Sequence, residues 1–106
     1  MFLMTKKREE KIIKEECFDI SFSFIQWLNK RLKVYKEDAE KYIDLEYHRI
    51  MYKDQEYTQK ALINKMIELS DKLLDEEWYY NLGTEVDDTV NELLDIFKTT
   101  FHYLWW

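Results

Sequence analysis

Residues 75–95 read DEEWYYNLGTEVDDTVNELLD, and the reading of this stretch decides the fold. It holds eight carboxylates, no Lys or Arg, a Trp-Tyr-Tyr cluster and Gly83, the one glycine of the chain. Glycine reaches the positive φ that a helix C-cap asks for, which places Gly83 at the close of a helix. Thr84 follows as an N-cap with Asp87 three places on, an Asp-bearing variant of the capping box. Upstream, Leu62, Met66, Leu69 and Leu73 recur along one helical face, with Ile63, Ile67 and Leu74 beside them. This spacing predicts a helix over roughly Tyr57 to Tyr80. Downstream, Val86, Val90, Leu93, Leu94, Phe97, Phe101 and Leu104 form the core stripe of a last helix. A short turn at Gly83 makes the two helices antiparallel neighbours.

Outward from this hairpin, the composition keeps to helices. The 106 residues are 46% apolar and 36% charged and contain no proline. Proline and glycine punctuate β-sheet proteins, so their near absence predicts long helices and few loops. The expectation is a single all-α domain over residues 1–106. Its form is an elongated bundle of three or four long helices with a C-terminal antiparallel hairpin turning at Gly83. A first helix covers Lys6 to Cys17. Phe18, Ile20, Phe22 and Phe24 alternate as a short strand would. With no second strand to pair, the stretch reads as a helix start, N-capped by Asp19 or Ser21. Nothing from there to Tyr52 breaks a helix. A helix of that length, about 50 Å, invites a break that the sequence does not mark. YKDQEYT, residues 52–58, is the expected turn.

One cysteine, Cys17, excludes an internal disulfide and reads as a small buried hydrophobe. The start MFLMTKKREEK places apolar residues before charge, the reverse of a secretory signal, and Met4 is an alternative start. No apolar run approaches the roughly 20 residues that span a bilayer. A cytoplasmic protein is expected.

Net charge is −6, unevenly spread. Residues 1–67 hold 14 basic and 12 acidic side chains; residues 68–106 hold 2 basic and 10 acidic ones. The acidic half suits a basic protein partner, one that itself handles nucleic acid, and opposes direct contact with phosphates or an anionic membrane. At about 100° per residue, Glu85, Asp88, Glu92 and Asp95 fall on one arc opposite the apolar stripe. Glu68, Asp71 and Asp75 form a similar outward row on the preceding helix, and Glu76 and Glu77 sit near the tip. A solvated face is the plain reading of such rows. Lys72 is nevertheless the only cation between Glu68 and Asp95, and like charges one turn apart, as in Asp88 and Glu92, cost stability.

In size, charge and composition the chain resembles the small acidic helical proteins of phages and mobile elements that block restriction or CRISPR nucleases. The resemblance is carried by no motif. It implies an anti-CRISPR or anti-restriction-like inhibitor that covers the nucleic-acid-binding surface of a host defence nuclease. Within residues 68–95 the acidic pairs Glu68/Asp71, Glu85/Asp88 and Glu92/Asp95 also resemble the all-α nucleoside triphosphate pyrophosphohydrolases of the MazG type. That likeness implies Mg²⁺ held between two helices. The chain lacks the family's adjacent-glutamate form of the first pair, and the arcs point these side chains outward.

Other chemistry finds little support. Neither His48 nor His102 has a Glu three places before it, so no ferritin-like pair exists, and both read as structural or solvent residues. One glycine cannot build a phosphate-binding loop. Aromatics are 17% of the chain, mostly suited to core packing. The terminal FHYLWW either folds back over the core or offers Trp105 and Trp106 as contacts, and Trp78 poses the same choice. Lys30, Arg31, Lys33, Lys36 and Lys41 near Trp27 and Tyr35 read as a solvated flank. That flank also suits the acidic half of a second copy, and so a homodimer. The expectation is a binding protein, neither enzyme nor cofactor carrier, using the nine carboxylates of the two rows and the tip together with Trp78, Trp105 and Trp106. A self-associating structural bundle is the alternative.

Overall fold

The computed structural model describes residues 5–81 and 83–105. Among them run α1 (Lys6–Glu16), α2 (Ile20–Ala39), β1 (Arg49–Tyr52), β2 (Gln55–Thr58), α3 (Gln59–Leu74), α4 (Glu76–Asn81), α5 (Gly83–Thr100) and a 3-10 turn at Phe101–Tyr103. The protein is mostly helical, but a two-stranded antiparallel sheet corrects the all-α expectation.

α3 is the centre. Its Leu62, Ile63, Met66, Leu69 and Leu73 are all buried, as the periodicity predicts. α2 packs on it through Ile25, Leu28 and Leu32, and α5 through Leu93 and Ile96. Each such side chain taken out of water contributes about 1.5–3 kcal/mol. On α5 the stripe is turned from the expected one. Ile96 and Thr100 are fully buried, whereas Leu94 and Phe101 are exposed.

The junctions follow local hydrogen bonds. Thr5, Asp19 and Thr58 cap α1, α2 and α3, accepting from the amides of Arg8, Phe22 and Ala61. Asp19 is thus the cap foreseen before α2. The expected helix to Tyr52 stops instead at Ala39. There the backbone turns, with the Tyr42 and Ile43 amides both bonded to the Ala39 carbonyl, and carries Leu45 into the core. The Leu45 carbonyl then takes the Lys60 amide at 2.9 Å, so this loop is fastened to the start of α3.

The expected turn at residues 52–58 is a β-hairpin, with Tyr52 opposite Gln55 and Ile50 opposite Tyr57. Its two turn residues, Lys53 and Asp54, have φ of 50° and 62°, the sign a type I′ turn requires. Ile50 and Tyr52 point inward and Arg49 and Met51 outward.

Two further expectations are corrected. The molecule measures 44 × 42 × 19 Å, broad and thin rather than elongated. The link between α3 and α5 is not a turn at Gly83, because α3 ends at Leu74, α4 intervenes, and Gly83 and Thr84 lie in the first turn of α5. α1 stands apart: none of its side chains is buried. The radius of gyration, 15.7 Å, exceeds the roughly 13 Å of a compact chain this long.

Candidate functional site

The carboxylates of the two rows and the tip are exposed, apart from partly buried Glu92, but several of them are engaged. Asp71 turns to α2, accepting from Lys33 Nζ and Asn29 Nδ2, both at 2.9 Å. Burial would raise its pKa, but the Lys33 and Asn29 hydrogen bonds hold it below the ordinary value. Asn29 also donates to Ser70 Oγ at 2.8 Å, and Ser70 donates on to the Met66 carbonyl. Both are buried, so the α2–α3 seam contains a satisfied polar link. Asp75 accepts from the Glu77 and Trp78 amides and so starts α4. Glu92 pairs with Lys65 on α3 at 3.3 Å. Glu68 remains exposed, 3.8 Å from Lys72. Part of the basic flank is engaged too, with Lys41 on Asp38 and the Arg31 guanidinium 4.6 Å over the Trp27 ring.

The free carboxylates gather at one end. Glu76 and Glu77 open α4, Glu85 and Asp88 lie in the first turns of α5, and all four are exposed, as is Asp95 further along. Glu76, Glu77 and Glu85 lie in a first helical turn, where the helix dipole stabilises a carboxylate by about 0.3–1 kcal/mol, so their placement has a local benefit. Beside them opens a cleft of about 490 Å³ lined by Asp19, Phe22, Ile25, Leu73, Glu76, Tyr79, Tyr80 and Val90. Tyr79 and Tyr80 meet edge to face at 5.4 Å and are exposed, while Trp78 is half-buried against the core. Trp78 is therefore a packing residue, and the tyrosines after it are the rings available for contact.

At the opposite end the tail folds back by its backbone. Buried Gln59 donates to the Tyr103 carbonyl at 2.6 Å and to the Tyr35 hydroxyl at 3.2 Å. The Tyr35 hydroxyl donates to the Trp105 carbonyl at 2.8 Å. Burial pushes the Tyr35 phenol above its ordinary pKa, against the pull of Gln59 and Trp105. Leu104 packs against the core, but the Trp105 ring stays outside, its Nε1 donating to the His102 carbonyl. Trp106 lies outside the described residues.

The two histidines share a recess there, one the sequence does not announce because they lie far apart along the chain. His48 is in the loop before β1. Cys17, expected inside, is exposed. Among the described residues no three His, Cys, Asp or Glu side chains gather as a metal site. The acidic pairs that the pyrophosphohydrolase likeness would use are not brought together among them. No helix among those residues is long and apolar enough to cross a membrane.

No protein-family model matches the chain, and no curated protein or solved structure is significantly similar to it.

Proposed function

We propose that this is a small binding protein whose acidic end docks on a basic protein surface. The observation that carries the reading is the cleft beside α4, where exposed Tyr79 and Tyr80 line the wall together with the carboxylate of Glu76. Aromatic rings supply apolar anchorage, and the surrounding charge selects a cationic partner and speeds encounter. In its sharper form the partner is a nucleic-acid-handling protein, such as a defence nuclease, and binding occludes its nucleic-acid surface.

The test replaces Glu76, Glu77, Glu85 and Asp88 by Lys and leaves Asp71, Asp75 and Glu92, which serve the fold. Wild-type protein, immobilised and washed with nuclease-treated host lysate, should retain a basic protein that elutes with salt. That protein should lose its own DNA or RNA binding when the wild type is added, and the charge-reversed variant should neither retain nor inhibit it. Equal capture by both proteins, at equal helix content, would sink the reading.

A second reading, self-association, is favoured by α1. An isolated helix of 11 residues is marginal in water, and at the junction that follows it Phe18 and Ile20, the first residue of α2, are 90% and 67% exposed. Five cations, Lys6, Lys7, Arg8, Lys11 and Lys14, would meet the acidic end of another copy. Light scattering across a dilution series distinguishes this: a dimer should appear and should be lost on Phe18→Ser with Ile20→Ser.

A further inference from the structure

The recess holding both histidines is about 440 Å³ and is walled by Asp44, Tyr47, His48, His102, Tyr103 and Trp105. These walls come from two segments far apart in the chain, with Gln59 between them, and hydrogen bonds fix each. The Glu46 amide donates to Asp44 Oδ1 at 2.9 Å and orients the carboxylate. The Gln59 amide donates to the His48 carbonyl at 3.3 Å. The carbonyls of Tyr103 and Trp105 are held by Gln59 and Tyr35. The backbone that carries the rings is therefore fixed before any ligand arrives, which lowers the ordering cost of binding.

Ring orientation restricts what fits. Tyr47 meets His48 at 5.3 Å with planes 82° apart, and His48 meets Tyr103 at 5.4 Å and 56°. Rings inclined like this form a corner. A flat heterocycle needs two nearly parallel faces, which these do not offer. Tyr47 is 75% exposed and Trp105 70%, so much of each ring is open to a ligand. The charge restricts it further. Among the described residues no Lys or Arg forms an ion pair with Asp44; the neighbouring Lys60 is bound to Glu40 at 3.0 Å and reaches Asp44 only through its longer-range field. An anion would be repelled by Asp44. A compact cation gains from both the ring faces and the carboxylate. A bare ammonium is strongly hydrated and prefers water, whereas a methylated one sheds water easily and fills a corner of this size.

The geometry points to a binding site for a quaternary ammonium group, of the kind carried by choline. It is separate from the acidic cleft and does not depend on the function proposed for it. Trp105 and Tyr47 supply the π faces, and Asp44 supplies the counter-charge.

The chain has two histidines, so a proton NMR spectrum of the intact protein at pH 8 carries two imidazole Cε1–H signals, both from this recess. Choline is titrated to roughly 20 mM, a range that reveals millimolar dissociation constants. The neutral isostere 3,3-dimethylbutan-1-ol is titrated in parallel. Both signals should shift saturably with choline and at least about tenfold more weakly with the alcohol, as an attraction requiring charge demands. Asp44→Asn and Trp105→Ala should each weaken choline severalfold, and Trp105→Phe should restore most of the loss. Absence of a saturable shift, equal shifts with the alcohol, or unchanged affinity in Asp44→Asn and Trp105→Ala would each overturn the site.

Discussion

Asn29 is a polar residue inside the α2–α3 seam, and its value lies in being fully satisfied. Removing its amide leaves Ser70 and Asp71 with unmet hydrogen-bonding capacity between two packed helices. Asn29→Ala should therefore cost about 1–3 kcal/mol, read as a lower urea midpoint with unchanged slope. Asp71 adds a pH dependence. Its folded pKa is depressed, so it contributes stability above the carboxyl's ordinary range, and that contribution is lost as pH falls through the folded value. The Lys33–Asp71 pair is half exposed, which limits it to about 0.2–1 kcal/mol. Unfolding free energies of Asp71→Asn and wild type should thus differ near neutral pH and converge in acid. A constant gap at every pH would assign Asp71 a purely steric role.

The β-hairpin is the element on which sequence reading failed, and its turn explains why. Type I′ turns are recognised by Asn-Gly or Asp-Gly, whereas here Lys53 and Asp54 adopt positive φ at a cost of about 1–2 kcal/mol per L-residue. Asp54→Gly should relieve part of that cost and raise the thermal midpoint, with a gain of about 1 kcal/mol by urea unfolding. The strands are four residues each, too short for alternation to stand out, although Ile50 and Tyr52 do alternate inward. The break at Ala39 was equally hidden, since no glycine or proline marks it and the turn is closed by backbone bonds to one carbonyl. In contrast, α3 was legible residue by residue because its apolar positions repeat without interruption. The acidic rows were legible as exposed faces, but their partners were not. Periodicity shows which residues share a face, but not that Lys33, Lys65 or the α4 amides would meet it. The recess of Asp44 and the histidines needed the folded tail, which no local pattern reveals.

At the scale of the whole molecule, the chain is a thin plate with unequal ends: acidic and tyrosine-rich beside α4, aromatic and histidine-bearing beside the tail. α1 adds no buried side chain to the plate. The plate is organised around one helix, since α2 and α5 both rest on α3, and the outer helices meet each other more lightly, Phe24 against Phe97 edge to face at 6.2 Å. This arrangement orders the molecule in time. Amide protons of α1 should exchange with deuterium nearly as fast as those of a free peptide. Those of α2 and α5 should follow whenever either outer helix lifts away alone. The amides around Ile63, Met66 and Leu69 should be released last, at the rate set by global unfolding. A hydrogen-exchange experiment that found α2 or α5 as slow as α3 would mean that the outer helices cannot detach singly. If they can, either end of the plate can open while the other keeps its shape.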